Sequence, residues 1–281
     1  MTVRRLIDAA LDEDLALGPD VTTTATVPAD AVGSADVVAR QAGVVAGVNV
    51  AVAVAHQLAE RLGTRLEATV IREDGDRVAP GDVVLTVTGP VQGILTAERT
   101  LLNFLGQLSG VATATRQWVD AVTGTGAQIR DTRKTVPGLR ALQKAAVLAG
   151  GGVNHRMALG DAALIKDNHV AAAGSVRAAY EAVRAASPDI HVEVECDTVA
   201  QVREAVDVGA ELILLDNMTL DDMRESVAIC REAGVQTEAS GGLTLDRAAE
   251  VAATGVDYLA IGALTHSAPV LDLGLDLRPV T

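Results

Sequence analysis

The run Asp131-Thr132-Arg133-Lys134 sets two cations side by side directly behind an apolar stretch, in a chain that holds only three lysines. Between Arg130 and Lys166 seven basic residues face two acids, Asp131 and Asp161, a local balance of +5 in a chain of formal charge −14. Arginine grips a carboxylate or phosphate through two parallel hydrogen bonds, and lysine acts as a mobile point charge. Arg133, Lys134, Arg156 and Lys166 together therefore suit a small polyanion. A solvated basic face held by ion pairs is the plainer alternative. Lys166 argues against it, because it directly follows the apolar run Ala162-Ala163-Leu164-Ile165.

Carboxylates occupy the next two apolar runs, Glu195 in HVEVEC and Asp216 in ELILLD. Such groups are costly to bury unless they meet a metal, a cation or a ligand hydroxyl. Their hard oxygens suit Mg²⁺, which keeps several waters and bridges to substrate phosphates; an ion pair with Lys166 or Arg156 would serve the same carboxylates without a metal. Ser240-Gly241-Gly242 precedes a helical stretch, and Gly262 stands in AIGALTH. Both offer backbone N–H groups and close approach to an anion, although a Gly-Gly pair by itself also makes an ordinary turn. His169, in KDNHV, either orients Lys166 or caps the next helix.

These residues share a position. From about residue 113 the chain repeats a short β-branched run, a polar cluster and a helical stretch, the pattern of βα units and a parallel sheet. The candidate strands are 127–131, 162–166, 191–196, 211–216, 236–240 and 258–262, with helical patterns at 139–150, 175–186, 199–209, 220–234 and 245–255. Nearly every strand ends in a charged or hydroxyl-bearing group. All C-terminal ends of a parallel sheet lie on one side, so these groups converge on a single site, which favours a barrel over a doubly wound sheet. Residues 1–112 read as a small α+β domain with a mainly antiparallel sheet, closed by a helix that starts near Thr96. The segment DGDRVAPGDVVLTVTG is similar to a biotinyl or lipoyl carrier hairpin, but no lysine occurs in residues 1–133 to carry the cofactor.

Composition excludes other classes. A 49% hydrophobic content supports a sizeable core, while one Phe, one Trp and two Tyr leave no aromatic platform for stacking bases. With the strongly negative net charge, this argues against nucleic acid as a partner. Cys196 and Cys230 have no CxxC spacing and read as small buried apolar residues of a reducing compartment. The segment MTVRRLIDAALDEDL lacks the apolar core of a signal peptide, and the run at 44–55 is too short for a bilayer, so a cytoplasmic protein with no membrane partner is expected. No GxGxxG after a strand, GxxxxGK[ST] or HExxH occurs.

Taken in order, RDTRKTVPGLR, GGGVNHRMALGDAALIKDNHV, VEVECDT, LLDNM and EASGGL resemble the quinolinate phosphoribosyltransferase family, with EDLALGPDVTT and AERTLLNFLGQLSGVAT extending the likeness through the first half. The resemblance implies an α/β fold: an N-terminal α/β sandwich domain (1–112), to which the C-terminal tail (267–281) returns, and an incomplete TIM-like βα barrel (113–266). It implies transfer of a phosphoribosyl group from phosphoribosyl pyrophosphate to quinolinate with decarboxylation, in de novo NAD biosynthesis. Arg133, His155, Arg156 and Lys166 match the positions that hold the two carboxylates, with Arg99 supplied by a neighbouring subunit of a homodimer or larger homo-oligomer. Lys134 matches a basic residue near the ribose or pyrophosphate. Glu195 and Asp216 match carboxylates around the donor and its Mg²⁺, and Ser240, Gly241, Gly242, Gly262 and His266 fall in the phosphate loops. Lys134, Lys166, Glu195 and Asp216 are the expected catalytic group. Two other readings stay open on sequence: a relative associated with molybdate uptake, and a Schiff-base aldolase using Lys166 as nucleophile.

Overall fold

The computed structural model describes residues 2–278. Along the chain lie α1 (Val3–Asp14), α2 (Val21–Thr26), β1 (Val32–Ala39), β2 (Gly43–Val44), α3 (Val48–Leu62), β3 (Glu67–Val70), β4 (Arg77–Val78), β5 (Val83–Pro90) and α4 (Val91–Ala121). There follow β6 (Gln128–Arg130), α5 (Arg140–Ala149), β7 (Ala163–Ile165), α6 (Asp167–Ala173), α7 (Val176–Ala186), β8 (Val192–Cys196), α8 (Val199–Asp207) and β9 (Leu212–Asp216). The last elements are α9 (Leu220–Ala233), β10 (Gln236–Ser240), a 3₁₀ turn (Leu245–Arg247), α10 (Ala248–Ala252), β11 (Tyr258–Ala260), α11 (Ala263–His266) and β12 (Leu273–Leu277). Two compact units divide the chain: Met1–Arg116 with Val136–Gly151 and Ser267–Thr281, and Gln117–Thr135 with Gly152–His266.

The first unit is built on an antiparallel sheet of order β12-β1-β5-β3. Helix α4 starts at Val91, earlier than the periodicity places it, because β5 ends at Pro90 and the chain turns directly into the helix. Gly93 dilutes helix propensity there, but Val91, Ile94, Ala97 and Leu101 already form one buried face. Gly106 and Gly110, one turn apart on α4, let the tail lie against the helix: a Cβ on Gly110 would stand 2.1 Å from the Pro269 carbonyl oxygen, and one on Gly106 2.9 Å from that of Leu271. Beyond that contact β12 pairs with β1 through Ala35↔Leu277 to Ala39↔Leu273. Residues 279–281 of the tail lie outside the described residues. Helix α5, which the sequence pattern groups with the βα units, belongs to this first unit.

In the second unit six parallel strands run in the order β6-β11-β10-β9-β8-β7. Every strand neighbours its successor except the first two, and the first pairs with the last. That is the cyclic order of a barrel opened at one seam, not of a doubly wound sheet. At the seam a single parallel bridge joins Arg130 to Val153. Strand β8 shows how the sequence makes this wall. Val192, Val194 and Cys196 are wholly buried, while Glu193 and Glu195 alternate with them. Register pairs Glu193 with Leu164 and Leu212, and Glu195 with Leu214, so the acidic face is the barrel interior.

Candidate active site

Inward-facing positions near the C-terminal ends of these strands line a cleft of about 370 Å³. Its walls include Arg133, Lys134, His155, Arg156, Lys166, Glu195, Asp216 and Ser240, all expected from the sequence. Thr132, Leu164, Leu214, Glu238 and Ala260 complete the lining and are additions of the structure. A second, smaller cavity shares Thr132, Lys134, Ser240 and Ala260 with the first and adds Gly241, Gly242, Gly262 and His266, among others. The basic cluster and the glycine loops thus form two adjoining cavities. Arg99 lies elsewhere: it sits on α4 in the first unit, its side chain 66% exposed, and does not line the cleft.

The basic run divides by position. Arg133 and Arg156 line the same cleft, and burial first, and then the Arg133 charge, hold the Arg156 guanidinium below its ordinary value. Both have a buried Nε without a hydrogen-bond partner, and Arg156 uses one terminal nitrogen to donate to the Ala162 carbonyl at 2.9 Å. Two guanidiniums with buried donors of this kind suit an anionic group that offers acceptors to both. Lys166 pairs with Glu195, with side-chain exposures of 44% and 9%. As an ion-paired ammonium it is a poor nucleophile, which weighs against the aldolase reading. His169 accepts the Lys166 backbone N–H at 2.9 Å through Nδ1 and so caps α6. Arg140 and Lys144 stand on α5, and Lys144 is fully buried, so they form no part of the cleft.

In and beneath the cleft wall lies a buried network that sequence reasoning missed. His155 has Nε2 at 2.7 Å from Glu193 and accepts the Arg156 N–H on Nδ1 at 2.7 Å, which assigns the ring proton to Nε2. Both ring nitrogens are engaged, so His155 holds the Arg156 segment in place as well as lining the cleft. Its own backbone N–H donates to buried Asp131 at 2.8 Å. Glu238 accepts from Arg130 at 2.6 Å, and Arg130 stacks on the Tyr258 ring at 4.6 Å. Burial pushes Glu193 and Glu238 up to about 7 each. His155, Glu193 and Glu238 offer ligand atoms within 4.8 Å of one another, but the Arg130 guanidinium already supplies the cation there. The signal in the sequence was the spacing: Glu193 stands two before Glu195 and Glu238 two before Ser240, on the same strand face.

The glycine loops depart from expectation in one respect. Ser240-Gly241-Gly242 leads into a 3₁₀ turn and the five-residue α10, so a long helix dipole does not stand behind it. The loop is shaped by Gly241 at φ +85° and Gly242 at φ +58°. A Cβ on Gly262 would meet Lys134 Cδ at 2.9 Å, which places the lysine stem directly against that backbone.

The description "Quinolinate phosphoribosyl transferase, C-terminal domain" matches residues 111–276, and the corresponding N-terminal domain matches 20–109. The chain is 54% identical to nicotinate-nucleotide pyrophosphorylase (carboxylating) of Mycobacterium leprae (strain TN) over 98% of its length and 96% of that protein. It is 38% identical to the probable nicotinate-nucleotide pyrophosphorylase (carboxylating) of Bacillus subtilis (strain 168), over 99% and 94%. The crystal structure of NadC from Streptococcus pyogenes superposes with a TM-score of 0.92 at 36% identity, covering 99% of this chain and 96% of that one. With both domains matched in order and the cleft assembled from the motifs that carry the likeness, this chain belongs to the quinolinate phosphoribosyl transferase family.

Proposed function

We propose that this protein transfers the phosphoribosyl group of phosphoribosyl pyrophosphate to quinolinate with loss of CO₂, giving nicotinate mononucleotide and pyrophosphate. The observation that carries the reading is the pair Arg133 and Arg156, two guanidiniums of one cleft with buried unpartnered Nε atoms, beside a glycine-lined cavity that shares Lys134. A pyridine with two adjacent carboxylates offers the opposite charge and the acceptors. A monocarboxylate would leave buried donors unpaired, which a polar site rejects strongly.

In this reading the acid lies against Arg133, Arg156 and Lys166, and the donor phosphate against Ser240, Gly241, Gly242, Gly262 and His266. Lys134 offsets charge developing on the leaving pyrophosphate. Glu195 and Asp216 favour the cationic, oxocarbenium-like sugar as the ring nitrogen attacks C1′. Quaternising that nitrogen lets the adjacent carboxylate leave as CO₂, because the ring carbanion then sits beside a positive charge, and that carbanion takes a proton from water to give the product's C–H bond. Lys166 is shared between Glu195 and the incoming acid, which couples the two substrates' sites.

Mg²⁺ fits the donor set. Glu195 and Asp216 end neighbouring strands, one oxygen of each is taken by Lys166 or Asn217, and the remaining hard oxygens leave room for waters and phosphate. The ion would supply charge neutralisation at the pyrophosphate. We further propose a homodimer or larger assembly in which exposed Arg99 completes a neighbour's cleft. A cytoplasmic location fits a chain in which no helix among the described residues is long and apolar enough to cross a membrane. The test is turnover of purified protein with phosphoribosyl pyrophosphate and Mg²⁺, offering quinolinate and nicotinate separately. Mononucleotide is expected from quinolinate alone. Reaction of nicotinate, or of neither acid, contradicts the proposal.

A further inference from the structure

Asn217 is the one non-glycine residue with positive φ among the described residues, at φ 54°. It directly follows Asp216 at the end of β9, within the run LLDNM, and no role was expected for it from the sequence. Backbone held in the left-handed region costs free energy for any residue with a Cβ, and such positions cluster where a site imposes the geometry.

Three contacts explain what holds it. The side-chain nitrogen Nδ2 donates to Asp216 Oδ2 at 2.6 Å. A carboxylate only accepts, so this bond fixes the orientation of the amide. Its oxygen then faces Gly241, where a Cβ would stand 2.3 Å from Oδ1 and 2.8 Å from the Asn217 backbone nitrogen. The Asn217 N–H donates to the Ser240 carbonyl at 3.1 Å, one step beyond the last paired residues of β9 and β10, Asp216↔Ser240. A single side chain thus touches both the carboxylate at one strand end and the glycine loop at the next.

We propose that Asn217 is a positioning residue that fixes the Asp216 carboxylate relative to the Ser240-Gly241-Gly242 loop, so that the ribose and phosphate ends of the donor meet groups already set at their proper separation. The inference rests on the assignment of these two elements to the phosphoribosyl donor. Glycine at 241 leaves the space the amide oxygen occupies. The acid-binding residues Arg133 and Arg156 make no contact with it in this network, so its loss should fall on the donor and not on the acid.

The experiment measures binding of phosphoribosyl pyrophosphate with Mg²⁺ by calorimetry, together with separate KM values for donor and acid and the melting temperature. The proteins compared are wild type, Asn217→Gly and Asn217→Asp. Asn217→Gly keeps the backbone conformation and removes the amide. Asn217→Asp keeps the shape and replaces the donor nitrogen by an oxygen that repels Asp216, so it carries the comparison if the glycine variant folds poorly. Loss of one hydrogen bond to a charged group predicts donor affinity weakened about tenfold or more in both variants, with acid KM within about twofold of wild type. A merely structural role would instead lower melting temperature and move both KM values together, and that result overturns the proposal. Donor binding within about twofold of wild type in both folded variants overturns it as well. A wild-type protein that binds no donor overturns the assignment of the site itself, and the role of Asn217 with it.

Discussion

Glu193 and Glu238 occupy the inside of the barrel, Glu238 in the cleft wall itself, each pushed up to about 7 by burial, with the charge of Glu193 adding to the rise at Glu238 and His155 and Arg130 opposing it. Because the folded value of Glu238 lies above its ordinary 4.5, its contribution to stability is fully present below that pH and is lost as pH rises through about 7. Glu238→Gln removes that loss. The melting temperature of the variant minus that of wild type should therefore increase between pH 5 and pH 8; a difference independent of pH would count against the buried-carboxylate account. The two cleft arginines give a second prediction. Arg133→Ala relieves repulsion on Arg156, so the ligand-free variant should melt no lower than wild type while its KM for quinolinate rises about 10- to 100-fold, the loss of a charge-assisted pair. A lower melting temperature with unchanged KM would contradict it. At this scale the sequence was informative about charge and blind to orientation. Arg133, Arg156 and Lys166 could be picked out because cations are rare and locally clustered, whereas Glu193 and Glu238 hid in strands whose polar face is normally read as solvent.

Strand ends and glycines set the site's geometry, and the two kinds of glycine should respond differently to one added methyl group. At Gly262 the methyl would meet the Lys134 stem at 2.9 Å and, less closely, the His266 ring, both of them side chains, and the lysine stem can swing aside. Gly262→Ala should keep its stability and raise KM for the donor by displacing Lys134. At Gly110 the methyl would meet the Pro269 carbonyl, which is backbone. Gly110→Ala should cost roughly 1–3 kcal/mol, read as a lowered melting temperature, because the tail must move off α4. Equal thermal effects at the two positions would contradict this distinction. All six barrel strands were legible from β-branched runs closed by polar groups, within a residue or two at each end. The start of α4 was not: the sequence places it near Thr96, beyond Gly93, a poor helix former, while burial of Val91 and Ile94 holds the helix from Val91. The stretch 245–255 read as one helix. It is a 3₁₀ turn and a short helix, a local geometry that periodicity does not resolve.

Over the whole molecule, the chain carries a strong negative charge yet brings Arg133, Lys134, Arg156 and Lys166 together in one cleft, which suits attraction of two anionic substrates to it. The expectation of an assembly comes from family likeness alone, since Arg99 carries no local signal and lies outside the cleft lining. If a neighbour supplies it, mixing Arg99→Ala with Lys166→Ala under conditions of subunit exchange should restore activity to about a quarter of wild type, through hybrid dimers holding one intact site. No recovery on mixing would place Arg99 outside the partner's site. The central claim is that one cleft joins phosphoribosyl transfer to decarboxylation. It is tested most directly with quinolinate labelled in the carboxylate next to the ring nitrogen, measuring labelled CO₂ and pyrophosphate released together in the presence of donor and Mg²⁺. The account predicts equal amounts of the two throughout the reaction; pyrophosphate without labelled CO₂, or neither product, would contradict it.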